Sequence, residues 1–419
     1  IPHSSTYWTV LLPLSLGEAK APPPPRFHAM EEESSKNKLS QDDPLVTAAS
    51  LFTDDLILEI LSRLPARSVR RFKCVSMPWR DLIADPVHRK KLPQTLAGFL
   101  YRARRHHFVS VSDSAAQVDL SLTFLQPKYK YIDYVDTCNG LLLCACSENN
   151  EECHYVVCNP ATERWIELPP RPQAFSDGFE YCAFCLAFDP KVSSHFHVLE
   201  FGETFMDVGS CVTGVNIFSS QTGAWIHRDC GLVEQFTTRF DEFSSVFFGG
   251  MLHLVGKLDP VKIYNEPALL VVDMEGKAWK TIPLPSRSGN GTIGLSRGCL
   301  YYASTTRAHV SNINKRTDVR ATKIVTLWCL ENDDSKEWVL KHSDIIDEPL
   351  STIGLEWRVF AIHPDCDTVF LDGDYMSMAA YDMQHQKFVR IHNLEEGNNR
   401  RYIPYVPLFT EALAVADGQ

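Results

Sequence analysis

The chain has 419 residues, 44% of them hydrophobic and 22% charged, with a formal net charge of −11. That length allows a large core and two or more domains, no apolar run reaches the length of a membrane span, and the acidic balance speaks against a nucleic-acid-binding surface. The thirteen cysteines follow no framework of regular spacings, which suits free thiols in a reducing compartment, cytoplasmic or nuclear. The charge is uneven. Residues 51–100 hold nine Lys/Arg against five Asp/Glu, a balance of +4, and residues 108–419 hold 25 against 41, a balance of −16. An acidic body favours a basic partner where charge contributes to binding, and otherwise serves solubility.

Residues 1–44 are expected to be a tail. The run Thr9–Leu16 is signal-like in length, but no basic residue precedes it. Four prolines follow at 22–25, and Met30 then opens a polar, charged stretch with the composition of disordered chain. Met30 is expected to be the initiator and residues 1–29 an extension of the gene model, with a truncated leader as the alternative.

Residues 51–92 carry three short amphipathic helices. Thr53 is placed to cap the first, and Asp54 and Asp55 suit the positive end of its dipole. Leu56, Ile57, Ile60, Leu61 and Leu64 recur at three- and four-residue spacing, with Arg63 in the last turn and Pro65 as the stop. The second helix carries Val69 and Phe72. Ser76 is placed to cap the third, which tolerates Pro78 in its first turn and turns Trp79, Leu82 and Ile83 to one face before Asp85-Pro86 ends it. About 40 residues rarely bury so many large aliphatics by themselves. Either the unit packs on the rest of the chain or part of the stripe is left for a partner.

The order Asp-Asp-Leu, Glu59-Ile60-Leu61, Arg63-Leu64-Pro65, Ser68-Val69, Phe72, Cys74-Val75-Ser76, Trp79 and Leu82-Ile83 resembles an F-box. The resemblance implies a small all-α F-box, bounded here at residues 45–92, that docks a Skp-type adaptor and through it a cullin and a RING subunit. Leu56, Ile60, Leu61, Leu64, Pro65, Val69, Val75 and Trp79 are expected to contact the adaptor or to support that contact directly. Periodicity does not say which of them face outward. Two departures bear on docking strength: Phe52 stands where the family usually has Pro, and Met77-Pro78 stands where it usually has a Lys before the Trp region.

From Gly98 onward short β segments alternate with Gly, Pro, Asn and Asp. A strand, a polar turn and an aromatic opening the next strand recur, with anchors Trp165, Trp225, Trp279, Trp338 and Phe388 at spacings of 60, 54, 59 and 50. A period near 50 with several strands per unit predicts a propeller, in which sheets stack radially because one sheet cannot bury both of its faces. Gly140, Gly250 and Gly298, each followed by an apolar strand, are expected to mark inner-strand starts. Residues 99–130 are expected to join the region Tyr402–Pro407 in one closing blade. Cys138-Asn139-Gly140-Leu141-Leu142, Asn159-Pro160-Ala161-Thr162 and Trp165–Pro169 resemble the F-box-associated domain of plant-type F-box proteins. That resemblance implies a kelch-like β-propeller over residues 93–419, of about six blades with five to eight allowed; a two-sheet sandwich assembly is the competing fold.

Several motifs suggest chemistry only by their letters. Gly294-Leu295-Ser296-Arg297-Gly298 fits a nucleophile elbow, yet a strand is expected after it where that chemistry needs a helix. The glycines at 289, 291 and 294 fit a dinucleotide fingerprint but lie in an expected inter-blade loop with no helix behind them. Cys182 and Cys185 form a lone CxxC on a strand, where the two side chains point apart. Cys144 and Cys146 are expected in the core, Cys153, His154 and Cys158 form a loop-to-strand cluster, and His195 and His197 are expected at a polar surface. The basic group Arg102, Arg104, Arg105, His106 and His107 is expected to be solvated or to meet the acidic body. No catalytic residue, metal site or cofactor is assigned. The F-box resemblance implies a non-catalytic substrate receptor of an SCF-type ubiquitin ligase that binds an unknown protein target. The alternatives are a propeller enzyme or carbohydrate-binding protein with an unrelated helical cap, or a scaffold that binds the adaptor and delivers nothing.

Overall fold

The computed structural model describes residues 53–413 apart from 65, 90, 93–94, 103–105, 112–117, 150–151, 173–180, 206–209, 239–243, 259–265, 287–290, 310–320, 333–335, 347–356, 374–376, 394–401 and 410–412. Residues 1–52, with Met30 and Phe52, lie outside the described residues, as do Pro65, Arg104, Arg105 and Gly289. The chain divides into two compact units, Ile1–Leu92 and Pro93–Gln419.

The first unit holds α1 (Asp54–Ser62), α2 (Ala66–Phe72), α3 (Met77–Ala84) and the single-turn α4 (Pro86–Arg89). Thr53 Oγ1 accepts from Leu56 N and Ser76 Oγ from Trp79 N, each at 3.4 Å, so both caps form where the sequence places them. Asp85-Pro86 ends α3 but also begins α4: Asp85 Oδ1 accepts from Val87 N at 2.7 Å, and Pro86 sits in the first turn, where no N–H is needed. The three expected helices are therefore four. Ile57, Leu58 and Leu61 from α1, Val69 from α2, Leu82 and Ile83 from α3, and Leu92 make one core. Leu64, Phe72 and Trp79 pack against it, with the Phe72 and Trp79 rings 5.3 Å apart.

The second unit begins with β1 (Gly98–Arg102) and β2 (His106–Ser110). The first blade is β3 (Tyr131–Cys138), β4 (Leu141–Ser147), β5 (His154–Asn159) and β6 (Arg164–Glu167). The second is β7 (Tyr181–Ala187), β8 (His197–Phe205), β9 (Ser210–Ser219) and β10 (Ala224–Asp229). The third has β11 (Phe236–Thr238) and β12 (Ser245–Phe248) together along one edge of β13 (Met251–Leu258), then β14 (Glu266–Asp273) and β15 (Trp279–Pro283). The fourth is β16 (Gly291–Ser296), β17 (Cys299–His309), β18 (Ala321–Asn332) and β19 (Glu337–Ile346). The fifth is β20 (Arg358–Ile362), β21 (Thr368–Gly373), β22 (Ser377–Asp382) and β23 (Lys387–Asn393). The sixth closes the ring: β24 (Tyr402–Tyr405) pairs β1, Leu100 opposite Ile403, and β1 pairs β2. The chain ends are thus joined in one blade, as the sequence suggests. All pairings are antiparallel, and β3, β7, β12, β16, β20 and β24 lie side by side around the centre.

Six apolar cores fill the spaces between the six sheets. Leu142 and Cys144 meet Leu100 and Tyr405 between the closing and first blades, and Leu143 and Val157 meet Phe184 and Val198 between the first and second. The remaining four interfaces repeat the arrangement around the ring. Both faces of each sheet are covered, so strands such as β14 are buried along almost their whole length.

The glycine signals fall one strand further out than expected. Asn139-Gly140, Gly249-Gly250 and Arg297-Gly298 all have positive φ and form the tight turns between an innermost strand and the second. Two successive positive φ values match the twist of an antiparallel hairpin, so the glycine opens the second strand of each blade. Gly140 is under the tightest demand, because φ is +92° and an added Cβ would lie 2.3 Å from Leu408 Cβ. Gly140→Ala is expected to lower stability by about 1–3 kcal/mol, measured as a lower urea midpoint at unchanged slope. Leu408 belongs to the segment after β24. It and Leu413 pack on the core between the first and second blades, and Asn159 Nδ2 donates to Leu408 O at 2.9 Å.

Candidate protein-docking site

Helix α1 divides the aliphatic stripe read from the sequence. Ile57 and Leu61 point into the core with Leu58, whereas Leu56 and Ile60, one turn apart on the neighbouring face, are 44% and 46% exposed. Val75, just beyond α2, is 60% exposed, and Met77 and Val87 are exposed as well. Of the eight residues singled out, Leu56, Ile60 and Val75 therefore face solvent. Leu61 and Val69 are buried in the core and can act only as its support in this arrangement. Leu64 and Trp79 are partly buried against that core, and Pro65 lies outside the described residues. Met77 enters the sequence reading only as a departure from the family's usual Lys, and Val87 not at all. Their exposure follows from where they stand, at the start of α3 and in α4, where helical spacing gives little warning.

Charge surrounds the exposed aliphatics without neutralising them. The Arg63 guanidinium pairs with Glu59 one turn away, and both are well exposed, a geometry that contributes only a few tenths of a kcal/mol, at most about 0.5. The face is therefore an apolar patch on a short, doubly capped helix. It offers a partner apolar shape and burial.

The propeller's repeated feature is its aromatic anchors. Trp165, Trp225, Trp338 and Phe388 occupy the second residue of the outermost strands β6, β10, β19 and β23, and Trp279 the first residue of β15. Each packs onto the core shared with the preceding blade. Two residues before Trp165, Trp225, Trp338 and Phe388 stand Glu163, Gly223, Lys336 and Gln386, all with positive φ, and Gly276 plays that part three before Trp279. Trp225 Nε1 donates to Pro169 O and Trp338 Nε1 to Pro283 O, each at 2.9 Å. Pro169 and Pro283 lie four residues after the anchors of the preceding blades, so the same bond recurs at two interfaces. Trp279 instead donates to Gly276 O in its own turn at 2.9 Å, and Phe388 has no donor to offer.

The tempting motifs take structural places. Ser296 ends β16, the turn at Arg297-Gly298 follows, and β17 is a strand. The stretch 291–294, expected in a loop, is itself the innermost strand β16. Cys144, Cys146 and Cys158 are buried in one core, which holds the Cys146 thiol well above its usual range chiefly by burial, while Cys153 is exposed. Cys185 is buried between the second and third blades. His195 and His197 are half-buried rather than at a polar surface, and burial lowers the His197 pKa, helped by the charge of His195. His107 stacks on Tyr101 with ring centroids 5.2 Å apart.

The buried carboxylates also join blades. Asp136 Oδ2 accepts from Leu186 N at 2.8 Å and Ser245 Oγ at 3.3 Å, which ties the first blade to the second and third. Glu200 accepts from Arg171 and from Asn216 Nδ2. Glu203 accepts from Thr238 N, Ser210 Oγ and Thr237 Oγ1; burial still raises its pKa, because these donors offset only part of the desolvation.

A helical unit with a solvent-facing aliphatic patch is thus followed by a six-bladed propeller. A sequence model of the F-box domain matches residues 50–91, and one described as "F-box protein At3g26010-like, beta-propeller" matches residues 113–405. The chain belongs to the F-box proteins that carry this propeller, and F-box domains generally bind Skp-type adaptors. F-box protein At5g07610 of Arabidopsis thaliana is 29% identical over 291 residues, covering 62% of this chain and 65% of the relative. F-box protein At3g26010 of the same plant is 27% identical over 359 residues, covering 80% and 78%. A putative F-box/kelch-repeat protein, At4g22430, is 26% identical over 280 residues, covering 62% and 65%. The match thus spans just under two thirds of the first and third of these relatives. Among solved structures, an α-L-arabinanase of Penicillium chrysogenum aligns at TM-score 0.38 and 11% identity over 74% of this chain and 88% of that one, a likeness too slight to bear on activity.

Proposed function

We propose that the protein is the substrate-receptor subunit of an SCF-type cullin–RING ubiquitin ligase. The F-box docks a Skp-type adaptor, and the propeller holds a protein target near the conjugating enzyme. The observation that carries this is the pair Leu56 and Ile60, half-exposed on a helix whose remaining aliphatics already fill their own core. The receptor acts by proximity: it raises the effective concentration of target at the transfer site, and other subunits perform the chemistry. The buried carboxylates Asp136, Glu200 and Glu203 are committed to bonds between and within blades, which favours a receptor over a propeller enzyme. The many thiols support action in the cytoplasm or nucleus.

The target is proposed to meet the propeller's connecting segments, because loops on a rigid scaffold diverge freely while strands carry packing. The acidic balance of residues 108–419 adds that a charged contact would be with a basic patch and would weaken with salt. Affinity purification with mass spectrometry tests the reading, comparing the intact chain with one lacking residues 45–92. Loss of the adaptor with retention of other captured proteins is the expected outcome. Retained adaptor would overturn the docking assignment. Adaptor binding without target ubiquitination by the assembled ligase would point to a scaffold.

A further inference from the structure

Two sequence motifs, Cys138-Asn139-Gly140 and Asn159-Pro160, have no part in the proposed receptor function. They lie together at one end of the first blade: Asn139-Gly140 joins β3 to β4, and Asn159 ends β5, the strand paired with β4. Cys138 Sγ and Asn139 Nδ2 both donate to Phe188 O, just beyond β7, at 3.2 and 2.6 Å, which fixes the turn against the second blade. Gly140 leaves its α-carbon bare on the side of the segment that follows β24. An added Cβ would lie 2.3 Å from Leu408 Cβ, 2.8 Å from Leu408 N and 2.9 Å from Val406 O. A backbone passes that close only over glycine. Asn159 is fully buried beside this turn. Its Oδ1 accepts from Ala161 N at 3.0 Å and shapes its own turn, while its Nδ2 donates to Leu408 O at 2.9 Å. The two motifs together make a seat for Leu408.

The seated segment continues the strand that closes the ring. β24 has four residues, and among the described residues its ladder is with β1 alone. Thr137 Oγ1 of the first blade adds one bond, to Pro404 O at 2.6 Å. Beyond β24 the chain keeps to the blade interfaces. Val406 packs on the core between the fifth and closing blades, Pro407 is buried, and Leu408 and Leu413 pack on the core between the first and second. Val406 and Leu408, two residues apart, thus touch cores on the far sides of the closing and first blades. A terminal strand of four residues leaves its ladder by local opening far more readily than a whole ring unfolds. A segment fastened beyond the first blade opposes that opening.

We infer that the segment after β24 is a latch: through Leu408 and Leu413 it docks on the seat made by Asn139-Gly140 and Asn159, and it holds β24 in place so that the ring stays shut where its chain ends meet. The latch uses none of the residues assigned to adaptor docking and is independent of that reading.

Hydrogen exchange followed by mass spectrometry tests it on the full chain, on Leu408→Gly and on a chain ending at Pro407. Leu408→Gly removes the Cβ that crowds Gly140 and the side chain that packs on the core; the shortened chain also loses Leu413 and the bond from Asn159. In each, the amides of β24 and β1 are expected to exchange about fivefold faster or more, while those of β14 and β18, in the third and fourth blades, keep their rates. Leu408→Gly alone decides the matter if the shortened chain does not fold. Gly140→Ala supplies a second reading. Its methyl meets Leu408 in the full chain and loses that obstruction in Leu408→Gly, so it is expected to lower the urea midpoint less in that background. Unchanged exchange at β24 and β1 overturns the inference. So does an equal rise in all six blades, or a Gly140→Ala shift of the same size in both backgrounds.

Discussion

Trp225→Ala and Trp338→Ala are each expected to lower the stability of the folded chain by about 3 kcal/mol. In a unit as long as Pro93–Gln419 that is a fall in melting temperature of roughly 4–5 °C. Two losses add. The indole leaves a space in the core between neighbouring blades, and the carbonyl of Pro169 or Pro283 loses its donor. Phe largely separates them, because it keeps a six-membered ring in the core while removing the N–H and the few pyrrole-ring atoms around it. Trp225→Phe and Trp338→Phe should therefore cost about 1 kcal/mol. Phe388 already shows that this position accepts a phenyl ring, packed edge-on against Trp357 with centroids 5.3 Å apart. Differential scanning fluorimetry on the full chain gives the order Ala, then Phe, then wild type. If the anchors served a ligand instead, the Ala variants would melt normally and lose target binding; an unshifted melting curve for both would remove the packing account.

The anchors were legible because a repeat leaves a period in the sequence, and the turn before each one leaves a second. The polar turn ahead of Trp165, Trp225, Trp338 and Phe388 carries the same left-handed residue two positions upstream, whether Glu, Gly, Lys or Gln. The joining of residues 98–102 to 402–405 was legible too, since a ring needs its ends paired and those stretches had no anchor of their own. Depth within a blade was not. Where both faces of a sheet are covered by neighbours, alternation gives no inside and outside: β4 reads Leu-Leu-Leu-Cys-Ala-Cys and is buried almost throughout. Gly140, Gly250 and Gly298 therefore indicated a strand start without saying which strand. The interruption between β11 and β12 left no mark in periodicity at all. In the helical unit the same limit appears in another form. Helical spacing identifies an apolar stripe, but a stripe wider than one face serves two surfaces, and only packing shows that Leu61 turns inward while Ile60 turns out.

That division makes the docking site testable without unfolding it. Leu56→Asp with Ile60→Asp is expected to abolish co-purification with a Skp-type adaptor while leaving the helical unit folded. Both side chains are about half exposed already, so burying what remains at an interface is worth about 1 kcal/mol each. The larger effect is the reversal: two carboxylates placed inside an apolar contact would each need a partner or stay protonated, at a cost of several kcal/mol. Together these exceed a 1,000-fold loss of affinity, which is about 4 kcal/mol. In the free chain the same carboxylates face water beside Asp55 and Glu59, and Thr53 still caps the helix. Leu61→Asp is the contrasting variant, because Leu61 is 1% exposed in the middle of the unit's core. It should also lose the adaptor, but by melting the unit, with the loss of helical circular dichroism that the double variant does not show. A double variant that is folded and still binds would place the adaptor on another face, with Val75, Met77 and Val87 the next apolar side chains to change.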